Sequence, residues 1–123
     1  MFKNWPKLGE DLNPLLVKLR GSAGEVMKGF AQMAQGATKA GALDPKTKEL
    51  IAYALSISTR CDPCITYHAK AAAKLGATKE EVSEAAGVAI YMGAGPNVMY
   101  AAQALEAFEQ YQEKQAEALH PAA

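Results

Sequence analysis

Helix start signals recur along the whole of this sequence, and they constrain its fold more than any other feature. Three times a side chain able to cap a helix is followed directly by proline, at Asn13–Pro14, Asp44–Pro45 and Asp62–Pro63. Proline suits the first helical turn because its missing N–H would have no partner there in any case. Two further segments, Ser22–Glu25 and Thr78–Glu81, have the spacing of a capping box. No segment has the alternating pattern of a strand, so the sequence predicts an all-α protein.

The start signals, taken together with helix breakers, predict five to six helices. Gly76 is placed to end the helix that contains both cysteines, and the segment GAGP interrupts a long apolar stretch. The predicted helices are one from Pro14, one from Ser22 to about Lys39, one from Pro45, one from about Asp62 to Leu75, one from Thr78 to Met92 and one from Pro96 to about Glu117.

Length and charge narrow the class of protein. The 123 residues suit one compact domain, and we expect residues 1–123 to form it. Lys plus Arg and Asp plus Glu both number 13, so the formal net charge is zero and gives no electrostatic basis for binding nucleic acid or an anionic membrane. The first residues lack the apolar run of a secretory signal, and no segment approaches the roughly 20 apolar residues of a membrane span. We therefore expect a cytoplasmic protein.

Two segments, AAGVAIYMGAG and NVMYAAQALEAF, are apolar on more than one helical face. A domain of this size cannot bury both completely within itself, because a helix that is apolar all round needs partners on every side. A tightly packed monomer is one explanation. We favour the other, a homo-oligomer whose subunits share these helices.

Both cysteines and one of the two histidines lie within the stretch TRCDPCITYHAK. If Asp62 caps the helix and Pro63 is its first residue, Cys64 is the second helical residue, where unpaired backbone N–H groups and the helix dipole favour a thiolate. Cys61 is near enough in sequence to form a disulfide with Cys64. His68 lies one turn further along the same face, where its imidazole could accept the thiol proton. The stretch therefore supplies the groups for reversible dithiol–disulfide chemistry.

Other roles for the cysteine pair have less support. A structural zinc site needs about four ligands, and the two cysteines with His68 supply only three. His120, in the C-terminal tail, or Glu49 would have to complete it. A c-type haem motif needs a histidine where this chain has Ile65, and a thioredoxin-like site needs a strand before the helix. Two buried structural cysteines beside a hydrogen-bonded histidine remain the simplest alternative.

The stretch ELIAYALSISTRCDPCITYHAKAAAKLGAT resembles the carboxymuconolactone decarboxylase-like superfamily, and specifically its alkylhydroperoxidase AhpD-like branch. The signature of that branch is Glu, eleven residues, CxxC, three residues and His. Glu49, Cys61, Cys64 and His68 occupy these positions without a gap. The similarity extends from GALDPKTKEL to YMGAGPNVMYAAQALEAF, which is over half of the chain. It implies an all-helical fold and assembly of single-repeat chains into trimers or hexamers.

The resemblance also implies a role for each of these residues. Cys64 would attack a hydroperoxide, Cys61 would resolve the resulting sulfenic acid, and His68 and Glu49 would relay the proton. Without the resemblance, Glu49 would be interpreted as an ordinary exposed charge in the first turn of a helix. Tyr53, one turn after Glu49, is interpreted as a packing residue.

We therefore expect a thiol-dependent peroxidase that acts on a hydroperoxide, is reset by an external thiol reductant and needs no metal or cofactor. The founding alkylhydroperoxidase has a histidine immediately before its second cysteine, where this chain has Pro63, so its lipoyl-domain reductant is not transferred to this chain. The decarboxylase branch does not use a cysteine pair, which argues against decarboxylation. The alternatives are a disulfide reductase or redox sensor that does not meet peroxide, and a non-enzymatic helical oligomer whose cysteine pair is structural or binds metal.

Overall fold

A computed structural model describes residues 1–120 and contains five helices over that range. The described residues form no strand, which confirms the predicted all-α class. The helices are α1 (Trp5–Ser22), α2 (Gly24–Thr38), α3 (Pro45–Ser58), α4 (Asp62–Lys74) and α5 (Lys79–Leu119).

Two of the predicted helix starts are confirmed in detail. The Asp44 carboxylate accepts the backbone N–H of Thr47 at 2.7 Å, at the start of α3. At the start of α5, the Thr78 hydroxyl accepts the N–H of Glu81 at 3.1 Å, and the Glu81 carboxylate accepts the N–H of Thr78 at 2.9 Å. This reciprocal pair is a complete capping box. The predicted stop after α4 is also confirmed, since Gly76 has a φ of +83°, which costs glycine little.

The predicted start of the first helix was wrong. Helix α1 begins at Trp5, capped by the Asn4 side chain, so Pro14 lies inside the helix. The reason is tertiary: the Trp5 side chain is completely buried and its backbone N–H is bonded to Gln110 of α5. Contacts that distant leave no local signal in the sequence.

The predicted capping box at Ser22–Glu25 was also wrong. Helix α2 is preceded by Ala23 and has no side-chain cap. The Ser22 hydroxyl instead bonds back to the carbonyl oxygens of Lys18 and Leu19, so it helps to end α1. Serine competes for such local bonds at either kind of helix end.

Helix α5 is sharply kinked at Ala94, where φ is 54° and ψ is −140°. The kink lies within the segment GAGP that was predicted to break the helix, and helical structure resumes at once. Asn97 fixes it from inside: the buried amide nitrogen donates to the Ala89 carbonyl oxygen at 2.8 Å and to the Ser58 hydroxyl at 3.2 Å. A Cβ at Gly93 would overlap the Asn97 carboxamide, so the kink requires glycine at that position.

The core lies among α3, α4 and α5, with Trp5 of α1 added to it. Its largest fully buried side chains are those of Trp5, Tyr53, Phe108, Ile57, Ile65 and Val82. Alanines fill much of the remaining core, and their small side chains let the helices approach closely.

Large apolar side chains remain exposed on several elements, including α2 and the kinked part of α5. Helix α2 contributes no buried residue, and around the kink of α5 several apolar side chains face outward. The exposed apolar residues of these two elements include Val26, Phe30, Met33, Val88, Tyr91, Met92 and Met99. Patches of this kind are typical of contact surfaces, and the oligomer inferred from the sequence stays a prediction. Over residues 1–120 no helix combines the length and apolar character needed to cross a bilayer.

Candidate redox site

The two cysteines are joined by a disulfide at the start of α4, with their Cα atoms 5.2 Å apart. Cys61 itself is the N-cap, and its Sγ accepts the backbone N–H of Cys64 at 3.2 Å. The predicted cap, Asp62, was wrong by one residue, because the sulfur takes the acceptor role that an oxygen usually has at an N-cap. Cys64 is therefore the third helical residue, still within the first turn.

A tight turn connects the disulfide to the end of α3. The Cys61 N–H donates to the Ser56 carbonyl oxygen at 3.2 Å, and the Arg60 N–H donates to that of Ile57 at 3.1 Å. Arg60 has a φ of 53°, a conformation that costs a non-glycine residue on the order of 1 kcal/mol. The turn holds Cys61 against the end of the buried helix α3, so the position of the pair is set by the core.

His68 and Glu49 are brought together by the packing of α4 on α3. The distance from His68 Nδ1 to Glu49 Oε2 is 2.7 Å. The Glu49 side chain is 12% exposed and that of His68 is 34% exposed. In the tautomer in which Nδ1 donates to this carboxylate, Nε2 is the ring nitrogen without a hydrogen. His68 lies on α4 four residues after Cys64, on the same face.

The structure adds one charged group to this site that the sequence did not suggest. The Asp62 carboxylate, located between the two cysteines in sequence, forms an ion pair with Lys3 at 2.6 Å. Lys3 also donates to the Gln103 side chain at 2.6 Å. No spacing rule connects Lys3 to a residue 59 positions away, so only the tertiary structure could show the contact.

Tyr53 is fully buried, as expected of a packing residue. Its hydroxyl has no hydrogen-bond partner among residues 1–120, so it does not bond to Glu49. Burial raises the pKa of the Tyr53 phenol well above its ordinary value, and the negative charge of Glu109 raises it further. The phenol therefore stays neutral and lies outside the hydrogen-bonded Glu49–His68 pair.

A groove of about 520 Å³ lies on the neighbouring face of α4, between α1 and the C-terminal part of α5. Tyr67, Tyr111 and three lysines line it, and neither cysteine does. In the described part of the chain, no group of three His, Cys, Asp or Glu side chains is arranged to hold a metal ion.

Comparison with known proteins assigns this chain to a family. The sequence profile of the carboxymuconolactone decarboxylase family matches residues 24–107, which is well over half of the chain. The chain belongs to the carboxymuconolactone decarboxylase family. The resemblance recognised from the Glu, CxxC and His spacing is thereby confirmed. An uncharacterised protein of Cupriavidus necator is 40% identical over 83 residues, which are 68% of this chain and 74% of that protein.

Solved structures of the carboxymuconolactone decarboxylase family have the same fold. The apo form of a family protein from Legionella pneumophila is 50% identical, with a TM-score of 0.85 over 88% of this chain and 96% of that one. A family protein from Thermotoga maritima is 26% identical, with a TM-score of 0.81 over 94% of this chain and 98% of that one. Involvement of the Thermotoga protein in an antioxidative response has been suggested.

Proposed function

We propose that this protein is a thiol-dependent peroxidase that reduces hydroperoxides with the Cys61–Cys64 pair. The observation that supports this most directly is a disulfide at the start of α4, the helix that also carries His68, whose ring is hydrogen-bonded to Glu49 of α3. A dithiol able to close a disulfide, combined with a histidine oriented by a carboxylate, has the groups that a thiol peroxidase needs. The family includes alkylhydroperoxidases as well as decarboxylases, and the Thermotoga relative adds support for the former.

The proposed cycle has three steps. The Cys64 thiolate attacks one oxygen of the hydroperoxide, so that an S–O bond forms, the O–O bond breaks, and the alkoxide leaves and is protonated to an alcohol. The Cys61 thiol then attacks the sulfenic sulfur of Cys64, and the disulfide forms with loss of water. Finally an external dithiol exchanges with the disulfide, becomes oxidised to a disulfide itself and returns both cysteines to thiols. One hydroperoxide and one dithiol thus give an alcohol, water and a disulfide.

The proton in this cycle is carried by His68. Its Nε2 takes the proton of the Cys64 thiol and returns it to the leaving alkoxide, while Glu49 holds Nδ1 at 2.7 Å and keeps the ring in one tautomer. The low exposure of Glu49 strengthens this hold, because water competes little for the carboxylate.

The partners belong to the same proposal. We place the protein in the cytoplasm, where thiol donors reduce disulfides, and we assign the resetting step to a small thiol or a dithiol protein. The exposed apolar side chains of α2 and of the kinked part of α5 support a homo-oligomer, a trimer or a hexamer, in which copies cover these faces.

A single-turnover experiment tests the proposal. The reduced protein is mixed with one equivalent of an organic hydroperoxide, peroxide loss is followed, and the peptide carrying both cysteines is analysed by mass spectrometry. We expect fast peroxide loss with formation of the Cys61–Cys64 disulfide. In Cys64→Ser the loss is abolished, and in Cys61→Ser the reaction stops at a sulfenic acid on Cys64.

Tyr67→Phe is the matched control. Tyr67 precedes His68 on α4, but its hydroxyl faces the Gly9 carbonyl oxygen at 3.4 Å, so the variant is expected to react at the parent rate. Thiols that stay reduced, or that react no faster than a free thiol in solution, would exclude the peroxidase. If such thiols instead reduce a low-molecular-weight disulfide, the protein is a disulfide reductase.

A further inference from the structure

The N-terminal segment, residues 1–5, is fastened along α5 by a set of hydrogen bonds. The Glu106 carboxylate accepts the backbone N–H groups of Phe2 at 2.6 Å and of Lys3 at 3.0 Å, together with the Trp5 indole N–H at 2.9 Å. The Gln110 side chain accepts the Trp5 backbone N–H at 2.8 Å and donates to the Lys3 carbonyl oxygen at 2.8 Å. These five bonds fix the backbone on both sides of Lys3, so the position of its side chain is determined by α5.

Polar and aromatic side chains surround the Lys3 ammonium group at the start of α4. It is 2.6 Å from the Asp62 carboxylate and 2.6 Å from the Gln103 amide oxygen. Aromatic rings face it as well, and cations are attracted to such rings. Their centroids lie 5.5 Å away for Phe2, 5.3 Å for Trp5 and 5.9 Å for Tyr100. The Lys3 side chain is 31% exposed, so the cation is only partly screened by water.

We propose that Lys3 is a positioning residue for the cysteine pair, which favours the Cys64 thiolate by neutralising the Asp62 carboxylate. Asp62 is the first residue of α4, adjacent to Cys61 and two residues before Cys64. The negative charge of the Asp62 carboxylate at this place disfavours a second negative charge on the Cys64 sulfur. The paired Lys3 ammonium group offsets this repulsion. The inference rests on the proposed function, in which Cys64 reacts as a thiolate.

Other charged or titratable groups lie around the start of α4, and none of them is substituted in the variants of the test below. Arg60 directly precedes the pair, His68 with Glu49 lies one turn further along, and α5 supplies Glu106 beside the Lys3 backbone and Tyr100 beside its side chain. Lys3 and Asp62 are distinguished from these groups because they form a direct ion pair at the first residue of α4.

The test measures the pH dependence of Cys64 alkylation by iodoacetamide in the reduced full-length protein, with the site of labelling read by mass spectrometry. Lys3→Met is expected to raise the midpoint of the profile by roughly half to one pH unit, the scale that Coulomb's law gives for a partly exposed charge several ångströms away. Asp62→Asn is expected to lower the midpoint by a similar amount. The double variant is expected to return close to the parent, and Lys3→Arg to keep the parent profile.

Lys114→Met is the matched control. Lys114 also pairs across elements, with Glu10 of α1 at 3.6 Å, but both residues of this pair line the groove between α1 and the C-terminal part of α5, which neither cysteine lines. It should leave the midpoint unchanged. If Lys3→Met lowers the melting temperature but leaves the midpoint where it was, or if Asp62→Asn shifts it upward, Lys3 is only an anchor for the N-terminal segment and the proposal is overturned. Alkylation needs no peroxide, so these outcomes are independent of whether the protein proves to be a peroxidase.

Discussion

Replacing Gly93 with alanine should destabilise the protein through a single buried side chain. The added methyl group would overlap the Asn97 carboxamide, whose nitrogen donates to the Ala89 carbonyl oxygen and the Ser58 hydroxyl. Moving the carboxamide away breaks both bonds while the group stays buried, which costs on the order of 2–4 kcal/mol in the free energy of unfolding. Urea denaturation followed by circular dichroism measures this change as a lower midpoint at an unchanged slope.

A double-mutant cycle separates this mechanism from a general intolerance of the kink. Asn97→Ala alone is expected to cost about 1–3 kcal/mol, because the same two bonds are lost. In that background Gly93→Ala should cost less than about 1 kcal/mol, since the three atoms nearest to the new methyl group all belong to Asn97. Gly95→Ala, two residues away and facing open space, should change the stability by less than about 1 kcal/mol. Equal costs of Gly93→Ala in both backgrounds would refute the reasoning.

Three further predictions concern the redox site, the core and the N-terminal segment. Glu49→Gln should slow single-turnover peroxide loss by about 10²-fold, the low end of the rate enhancement that a general base such as His68 provides. The helical circular dichroism should be unaltered. A rate within twofold of the parent would contradict the proton relay. Phe108→Ala should lower the free energy of unfolding by about 3–5 kcal/mol, because the ring is completely buried, and a change below about 1 kcal/mol in urea denaturation would show that it is not a core residue. Desolvation tends to raise the pKa of Glu106, but its hydrogen bonds from Phe2, Lys3 and Trp5 outweigh that effect and lower it overall. The stability that these bonds provide is therefore fully present above the ordinary glutamate pKa and is lost as the pH falls through the lowered value. The fluorescence of Trp5, the only tryptophan, should report this transition. The transition should be absent in Glu106→Gln.

What could be predicted from the sequence is what depends on near neighbours in the chain. Asp44 and Thr78 cap their helices through bonds that span three residues, so their patterns were sufficient. The cysteine pair was recognised for the same reason. The start of α1 could not be predicted, because it depends on the burial of Trp5 and its bonds to α5 across more than 100 residues.

In the candidate site, too, the residues close together in sequence could be predicted and the distant ones could not. Cys61, Cys64 and His68 share one turn-and-helix segment and were found from their spacing. Glu49 lies on a different helix and was identified only through the resemblance to a family. Lys3 has neither a local pattern nor a family signature, and only the packing of the N-terminal segment reveals it.

The disulfide encloses a very short stretch of chain, since its two cysteines are only three positions apart. In the chain-entropy treatment, a loop of this size restricts the unfolded chain by only about 2 kcal/mol, less than half of the value for a loop of about 100 residues. Opening the bridge therefore lowers the free energy of unfolding by much less than opening a disulfide that closes a long loop. We therefore expect the surrounding helices, which are held by the buried core, to keep their arrangement when the bridge is opened, so that the change is confined to the turn before α4.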